Sequence, residues 1–314
     1  MRDSGIPPVD NSRLINNIVS MQNRIDANTT LTGLFGNPIA HSLSPLFMNY
    51  ALERLKINCR YIAFNITEGN LKNAIQATRV LSFRGVNLTI PHKLAALTAV
   101  DAADPRAEQI GAVNCIVNEG GILSGYNTDY LGFLKPLEDR NITIGGKKAL
   151  LIGCGGAARA VVYALIHSGI DEVHVANRTE QNAETFISWC RKKLRFKNIT
   201  YKGDGRSINP ELFNSYGIII NATPVGMHPG IDESPLGKGI KFNREQIVYD
   251  LIYNPRETEL LRRARRDGAQ TINGFEMLIV QGLHSLSLWF PDRTEQAFSL
   301  EGSIMDFTKK GGRL

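Results

Sequence analysis

The sequence predicts an α/β protein of two domains, in which a C-terminal helix returns to the first domain. Three observations support this fold class. The chain has 314 residues, enough for about two domains. Strand-like apolar segments alternate with helical patterns, which favours parallel strands joined by helical crossovers. The alternation restarts at "KKALLIGCGGAARAVVYALIHSG", where a strand, a glycine turn and a helix follow one another.

The first block contributes its elements in a regular order. "LTGLFG" predicts a strand, "SPLFMNYALERL" a helix with Pro45 in its first turn, and "RYIAFNI" a second strand. "GNLKNAIQATRVL" predicts a helix, and "GVNLTI" and "GAVNCIVN" predict two more strands. Ahead of this block, Leu14 to Ile25 carry apolar residues at helical spacing, which indicates a helix in the N-terminal extension.

The second block continues with the strands "EVHVANRT", "GIIINATP" and "IVYDLIY" and the helix "ETELLRRARRDG". "TING" then leads into a long helix, "FEMLIVQGLHSLSLWF", and the tail "KKGGRL" is expected to be disordered. The sequence therefore predicts an extension (1–29), a first domain (30–130), a second domain (131–274) and a C-terminal helical segment (275–314) that packs on the first domain.

Composition excludes several classes of protein. No apolar run approaches the ~20 residues that span a bilayer, and the N-terminus lacks the apolar core of a signal peptide. Cysteines and histidines are scattered without metal-ligand spacing, so we expect no metal. The cysteine pattern favours reduced thiols in the cytoplasm; the residues are Cys59, Cys115, Cys154 and Cys190.

The chain is basic, with a net charge of +6 and a pI of about 9.1. Its basic residues concentrate in "RKKLRFKNITYKGDGR" and "LLRRARRDG". A nucleic-acid surface is one interpretation, and a solvated helix that buries Leu260, Leu261 and Ala264 is the other. Within these segments only Phe196 and Tyr201 could stack on bases, so we expect a small anionic ligand and no nucleic acid.

The glycine turn "GCGGAARA" predicts a dinucleotide site of the Rossmann type. Gly153, Gly155 and Ala158 fit G-x-G-x-x-A after a strand and at the start of a helix. The helix N-terminus, with Gly156 and Ala157, offers amide donors to phosphates. A tight turn without a ligand is the alternative.

The end of the next strand indicates which dinucleotide binds. An acidic residue there would hold a ribose 2′-hydroxyl, but the chain has Asn177, Arg178 and Thr179. A guanidinium with neighbouring amide and hydroxyl donors suits a phosphate, so NADP is favoured over NAD. An exposed loop arginine without a ligand is the alternative interpretation.

Polar side chains recur where loops should leave the strands of the first domain. Singly, each has an ordinary explanation: Ser44 before Pro45 is typical of a helix cap, and Asp129 of a turn. Together, hydroxyls, amides, one ammonium and one carboxylate suit a polyhydroxylated carboxylate substrate. The group comprises Ser42, Ser44, Asn87, Thr89, Lys93, Asn114, Asn127, Thr128 and Asp129. In "GVNLTIPHK", Asn87 and Thr89 alternate with apolar residues, which predicts one packed and one substrate-facing side of a strand that ends at Pro91.

From about Leu31 to Trp289 the chain resembles the shikimate dehydrogenase family. The resemblance rests on nine segments in order: "NPIAHSLSP", "NLTIPHK", "GAVN", "GYNTD", "GCGGAARA", "ANRT", "NATPVGM", "DLIYNP" and "MLIVQG". It implies reversible, NADP-linked reduction of 3-dehydroshikimate to shikimate, in aromatic amino-acid synthesis, by a monomer or homodimer in the cytoplasm.

The resemblance also implies roles for matching residues. Lys93 and Asp129 would act at the reacting oxygen, and Ser42 and Ser44 at the substrate carboxylate, with Tyr253 nearby. The ring hydroxyls would meet Asn87, Thr89, Asn114 and Gln281. Gly274 would lie near the nicotinamide, and Thr223 and Leu251 would also contact the cofactor.

The chain departs from the family pattern at several positions. Phe47 and Met48 replace a frequent histidine, Glu276 replaces a frequent glycine, and Asn182 stands where many relatives have a second basic residue, close to Glu180. A quinate/shikimate dehydrogenase of the same fold, with NAD or NADP use, is the alternative function, although Thr89 and the "NRT" loop favour the shikimate-specific form. A non-catalytic NADP-binding regulator is a further alternative, although it would not need Lys93 and Asp129.

Overall fold

The computed structural model describes residues 25–311, which contain two six-stranded sheets. Except for Ile25, the helix predicted in the N-terminal extension lies outside the described residues, as do the last three residues of the predicted tail. Within the described range, no helix combines the length and the apolar content needed to cross a bilayer. All four cysteines are free thiols.

The first sheet is mixed, with the strand order β2-β1-β3-β5-β6-β4. Its strands are β1 (Thr30–Gly36), β2 (Cys59–Asn65), β3 (Gly85–Leu88), β4 (Ala102–Ala103), β5 (Cys115–Glu119) and β6 (Ile122–Tyr126). β1 pairs in parallel with β2 and β3, as the alternating pattern predicts. β5 runs antiparallel to β3 and to β6, so the expectation of parallel pairing throughout is wrong for this part of the sheet.

A tight hairpin explains the antiparallel pair. Gly120 and Gly121 form its two-residue loop, with φ angles of 60° and 90°, and Glu119 pairs with Ile122 across it. Positive φ at both central residues matches the twist of a two-residue hairpin and favours glycine. The hairpin turns the chain back so that residues 127–129 leave β6 beside the ends of β1 and β3.

Between residues 25 and 140 the structure has four α-helices and two 3₁₀ turns. The helices are α1 (Ser44–Arg54), α2 (Leu71–Val80), α3 (Pro105–Ile110) and α4 (Asp129–Asp139). The 3₁₀ turns are Glu68–Asn70 and Ala95–Thr98. β1 and β3 are largely buried strands. α1 connects β1 to its parallel neighbour β2, and α2 connects β2 to β3 on the other side of β1, as crossover helices do.

The second sheet is parallel throughout, with the order β12-β11-β10-β7-β8-β9. Its strands are β7 (Lys148–Ile152), β8 (Glu172–Ala176), β9 (Ile199–Tyr201), β10 (Ile218–Asn221), β11 (Ile247–Asp250) and β12 (Gln270–Asn273). The strand order reverses between β7 and β10, and ligands bind at such a switch point. β9 and β12 are not predicted from the sequence, because both are short and partly polar.

The helices of the second half are α5 (Gly156–His167), α6 (Glu180–Lys193), α7 (Pro210–Phe213) and α8 (Glu259–Arg266), with a 3₁₀ turn at Gly205–Ser207. The predicted buried stripe of α8 is confirmed, since Leu260, Leu261 and Ala264 all lie in the core. Arg263 of this basic helix is also buried and donates to loop carbonyls, including that of Gly237 at 2.7 Å.

The chain ends with α9 (Gly274–Trp289), a 3₁₀ turn (Pro291–Arg293), α10 (Thr294–Ser299) and α11 (Glu301–Lys309). Phe275, Ile279 and Trp289 of α9 share a core cluster with α1 and β5, and Trp289 Nε1 donates to the Ile116 carbonyl at 3.0 Å. Met277, on the same helix, packs into the core of the second sheet. The predicted return of the C-terminal helix to the first domain is confirmed, and this helix also joins the two cores.

Candidate active site

Lys93 and Asp129 form an ion pair between the loop after β3 and the start of α4. Lys93 Nζ donates to Asp129 Oδ2 at 2.6 Å. The Asp129 carboxylate is buried at the first turn of α4, where the helix dipole favours a negative charge, and Lys93 is half-buried. The structure thus brings together the two residues to which the resemblance assigns the reacting oxygen.

A buried amide, Asn114, connects this pair to its surroundings. Its Nδ2 lies 2.8 Å from Asp129 Oδ1, 2.9 Å from Thr128 Oγ1 and 3.2 Å from Gln281 Oε1. Its Oδ1 accepts from the backbone N–H of Thr128 at 2.7 Å. The Asn127 side chain supports the local backbone. Its Nδ2 donates to the Ala112 carbonyl oxygen, and its Oδ1 accepts from the Asp129 backbone N–H. Both oxygens of Asp129 are therefore held, which fixes the direction of Lys93.

Two residues that the sequence does not single out extend the network. Asn87 Nδ2 donates to Ser285 Oγ at 2.7 Å, and Tyr61 donates to Asn87 Oδ1 at 3.0 Å. Ser285 also lies 3.3 Å from Thr128 Oγ1. Tyr61 alternates with apolar residues on β2 and Ser285 sits within apolar α9, so both patterns are typical of core positions. Their hydroxyls reach hydrogen-bond partners only because the fold brings β2, β3 and α9 together.

Ser42 and Ser44 lie at the entry to α1. The Ser44 backbone N–H donates to Ser42 Oγ at 3.2 Å. The residue that caps α1 is Leu43, without a side-chain hydrogen bond, so the interpretation of Ser44 as the helix cap is wrong. Burial raises the pKa of the Tyr253 hydroxyl, and a hydrogen bond with Ser42 opposes the rise. Ser42 and Tyr253 are therefore neighbours across the cleft, although one precedes α1 and the other follows β11.

The strand prediction for "GVNLTI" is partly wrong. β3 ends at Leu88, so Asn87 lies on the strand and Thr89 in the loop that follows. The Thr89 backbone still donates to the Phe35 carbonyl at 3.0 Å, but Ile90 is 62% exposed and does not pack. After Leu88 the chain leaves the sheet and bends toward Lys93. In this bend the backbone N–H of His92 donates to the Thr89 carbonyl.

The glycine turn lies directly beside Lys93. Gly153 has a φ of 105°, a conformation that favours glycine, and Gly155 caps α5. A Cβ at Gly156 would lie only 2.8 Å from Lys93 Cβ. The close approach explains why the first residue of α5 is a glycine, and it brings the two predicted clusters into one cleft.

The other predicted cofactor residues border the same turn. A Cβ at Gly153 would lie 2.9 Å from Thr223 Cγ2, and a Cβ at Gly274 would overlap the Leu251 carbonyl oxygen. Gly155 faces open space, and Ala157 follows Gly156 in the first turn of α5. These residues surround the carboxyl ends of β7, β10 and β11, where a doubly wound sheet binds its ligand.

The segment after β8 presents a free cation. Arg178 is exposed, and within residues 25–311 no carboxylate forms an ion pair with it. Asn177 Nδ2 donates to the Thr179 carbonyl at 2.7 Å, which shapes the loop, and Thr179 caps α6 without a side-chain bond. Asn182 and Glu180 are both exposed on the first turns of α6.

Two of the departures from the family pattern have structural explanations. Glu276 forms a bidentate ion pair with Arg140 at 2.6 and 2.7 Å, so a carboxylate at this position is held at the end of α4. Phe47 and Met48 are buried in the core and pack against Gly282 of α9. Neither departure adds a charge that is unpaired beside Lys93.

A second network, absent from the sequence predictions, fixes the loops of the second sheet. Asp250, at the end of β11, is buried and accepts from Asn221 Nδ2 at 3.0 Å, Ile252 N at 3.1 Å and Thr258 Oγ1 at 2.7 Å. Asn221 in turn accepts from the Thr223 hydroxyl at 2.6 Å. Burial raises the pKa of Asp250 to about 6, although its hydrogen bonds oppose the rise. The network positions the segments that carry Thr223 and Leu251.

Two family models match most of the chain. Residues 34–116 match the shikimate dehydrogenase substrate binding domain, and residues 137–260 match shikimate / quinate 5-dehydrogenase. The chain is 39% identical to the shikimate dehydrogenase (NADP(+)) of Caldanaerobacter subterraneus subsp. tengcongensis, over 88% of this chain and 98% of the relative.

Solved structures are similar over the same extent. A shikimate dehydrogenase in complex with NADP+ superposes with a TM-score of 0.79 at 37% identity, covering 90% of this chain and 97% of the other. Shikimate 5-dehydrogenase from Listeria monocytogenes, in complex with shikimate and NAD, has a TM-score of 0.76 at 32% identity, covering 88% and 98%.

Proposed function

The chain belongs to the shikimate dehydrogenase family, and we propose that it is an NADP-dependent oxidoreductase that reversibly reduces 3-dehydroshikimate to shikimate. One observation carries the proposal: the Lys93–Asp129 pair lies among buried amides and directly against the first residue of the glycine-turn helix. The arrangement joins an acid–base pair to a dinucleotide site in one cleft.

The residues of the second domain fit the cofactor. Gly155 faces open space at the N-terminus of α5, which leaves room for a pyrophosphate, while Gly153 packs against Thr223 and Gly156 against Lys93. We assign Leu251 and Gly274, which pack on each other, to the same cofactor site. Arg178 offers an unpaired guanidinium for the 2′-phosphate, beside Asn177 and Thr179. When bound, NADPH supplies the hydride that reduces the substrate carbonyl carbon.

Residues of the first domain, together with Tyr253 and Gln281 from later in the chain, fit a polyhydroxylated carboxylate. The hydroxyls of Ser42 and Ser44 donate hydrogen bonds to the substrate carboxylate, and Tyr253 lies beside Ser42. Three amides and one hydroxyl form hydrogen bonds with the ring hydroxyls; they belong to Asn87, Asn114, Gln281 and Thr89. Because the amides are already linked to one another, the site is organised before substrate binds, which lowers the cost of ordering it.

Lys93 performs the proton chemistry. Negative charge develops on the substrate oxygen as its carbon is reduced, and an ammonium nearby stabilises that charge. Lys93 then donates a proton to the oxygen and forms the alcohol, and in the reverse direction it removes this proton. Asp129 holds Lys93 through one N–H, which leaves the remaining N–H donors for the substrate.

The remaining assignments complete the proposal. We assign substrate binding to residues 30–130, NADP binding to 131–274 and packing on the substrate domain to 275–314, with no role for 1–29. The protein acts as a monomer or homodimer in the cytoplasm, without nucleic-acid or membrane partners. The two sheets, which span Thr30–Tyr126 and Lys148–Asn273, support the division.

A quinate/shikimate dehydrogenase is the second candidate, since residues 137–260 match a family described by both substrates. Steady-state assays with shikimate and with quinate, each with NADP and with NAD, distinguish the two. We expect shikimate with NADP to be the preferred pair. Comparable kcat/KM values for quinate would favour the second candidate, and no turnover of either substrate would contradict both.

A further inference from the structure

A cavity of about 590 Å³ lies at the junction of the two halves of the chain, apart from the cleft described above. Residues 94–111 of the first domain form one wall, and Arg159, Trp189 and Lys193 of α5 and α6 form the other. None of the residues assigned to substrate or cofactor lines it. The wall nevertheless begins at Leu94, the residue that follows Lys93.

Arg159 is a partly buried cation for which the described residues provide no counter-ion. Its guanidinium lies 4.4 Å from the centre of the Trp189 ring, and Nη1 donates to the Gly111 carbonyl at 3.3 Å. Nε is buried without a hydrogen-bond partner, and among residues 25–311 no carboxylate pairs with the side chain. Burial lowers the pKa of Arg159. A buried charge is costly unless it is paired, so an anion at this position would relieve that cost.

The other charged residues that line the cavity are Lys193, Asp101 and Glu108, and neither carboxylate forms an ion pair with Arg159. Lys193 also forms no ion pair with any described residue. Of the two carboxylates, Asp101 is occupied, because Arg79 binds both its oxygens at 2.9 Å and the Leu123 backbone donates to it. Glu108 is exposed on α3 and does not pair with Arg159. An exposed carboxylate that makes no contact contributes little.

Apolar side chains form the rest of the surface. Leu94, Leu97 and Val100 line the cavity opposite Trp189, and Leu94 is 39% exposed despite being a large apolar residue. A guanidinium binds a carboxylate with matched planar geometry, and the apolar wall suits a flat hydrocarbon group. We propose that this cavity binds a small organic carboxylate with a flat apolar body, which is held by Arg159 and Lys193 and covered by Leu94 and Leu97.

Titration calorimetry with benzoate tests the proposal. Acetate has the carboxylate without the body, and benzyl alcohol has the body without the charge. We expect benzoate to bind one site per chain at least tenfold more tightly than either. Equal affinities for benzoate and acetate, or no heat of binding with benzoate, would contradict the proposal.

Variants locate the binding site. Arg159→Gln removes the charge but keeps an N–H for the Gly111 carbonyl, and we expect it to weaken benzoate about tenfold to a hundredfold, the effect of losing a charged hydrogen bond. Lys193→Gln, at an exposed position where folding is not at risk, should weaken it several-fold. Lys192→Gln is the matched control, because Lys192 lines a different cavity and its loss should change nothing. Binding that survives both Arg159→Gln and Lys193→Gln but is lost in Ser44→Ala would place benzoate in the substrate cleft and overturn the proposal.

Discussion

Lys93 Nζ lies 2.6 Å from Asp129 Oδ2, and the other oxygen of the same carboxylate accepts from Asn114. The carboxylate is therefore held from two sides, and it fixes the ammonium group of a side chain whose Cβ lies against the glycine-turn helix at Gly156. Elements from both sheets meet at this one side chain. We therefore expect that replacing Lys93 lowers the rate of the chemical step and leaves substrate binding largely unchanged.

Lys93→Ala should lower kcat by about 10²–10⁴-fold, the usual contribution of a general acid–base group. We expect KM for shikimate to change only a few-fold, because amides and hydroxyls make the other substrate contacts. Steady-state kinetics with shikimate and NADP measure both constants. Lys135→Ala is the matched control, since Lys135 pairs with Asp139 on the surface of α4 and should keep normal turnover. A near-normal kcat in Lys93→Ala would remove this residue from the mechanism.

Ser44→Ala should act mainly on substrate binding. Leu43, and not Ser44, occupies the cap position of α1, so loss of the hydroxyl should not unfold the helix. A lost hydrogen bond to a charged group is worth about 1.5–3 kcal/mol, or roughly a tenfold to hundredfold rise in KM. Thermal unfolding of the same variant provides the control. A lower melting temperature with an unchanged KM would return Ser44 to a structural role.

The order of strands and helices was largely predictable, but the apolar pattern of β5 did not predict its antiparallel pairing. Its segment, "GAVNCIVN", has the apolar run of a buried strand, which carries no information about direction. Direction is determined by Gly120 and Gly121, whose positive φ angles form the hairpin. Two adjacent glycines between strand-like segments are a recognised hairpin signal, so this part of the fold was available from the sequence.

The polar site was predictable only where its residues interrupt an apolar pattern. Lys93 does so in a loop and Asp129 does so at the start of α4, and the structure places them together. Tyr61 and Ser285 lie within strand and helix patterns in which an occasional polar residue is ordinary. Their contribution depends on Asn87, which lies between them in space but far from both in sequence. Contacts of this kind follow from the topology and not from local spacing.

Asp250→Asn should change how stability depends on pH. The folded-state pKa of Asp250 is about 6, above its ordinary value of 3.8, so the folded protein binds this proton more tightly than the unfolded protein does. The favourable contribution is complete below pH ~4, is lost as pH rises through ~6, and amounts to roughly 3 kcal/mol. The asparagine of the variant does not titrate, so the variant lacks this change. Between pH ~4 and ~6, the free energy of unfolding of the wild-type protein should therefore fall relative to that of the variant.

Urea unfolding of both proteins at several pH values between 4 and 8 measures this difference. Asp306→Asn, at an exposed position on α11, is the matched control and should keep the wild-type pH dependence. Parallel curves for wild type and Asp250→Asn would show that the buried carboxylate does not titrate in this range. The variant should also retain its loops, because an amide oxygen can still accept from Ile252 and Asn221.

Arg178→Ala should weaken NADP and leave NAD nearly unchanged. Arg178 follows β8 and has no ion-pair partner among the described residues, so its charge is available to a 2′-phosphate. No carboxylate stands at Asn177 to hold a free 2′-hydroxyl, so NAD gains little from this loop. Losing a charged hydrogen bond costs about 1.5–3 kcal/mol, or roughly tenfold to a hundredfold in affinity. Because Asn182 and Glu180 supply no second cation, we expect the lower end of that range.

Fluorescence titration with each cofactor measures the two affinities, and Lys197→Ala serves as the control for loss of an exposed cation. Equal use of NAD and NADP by the unmutated protein would contradict this assignment and favour the quinate/shikimate alternative.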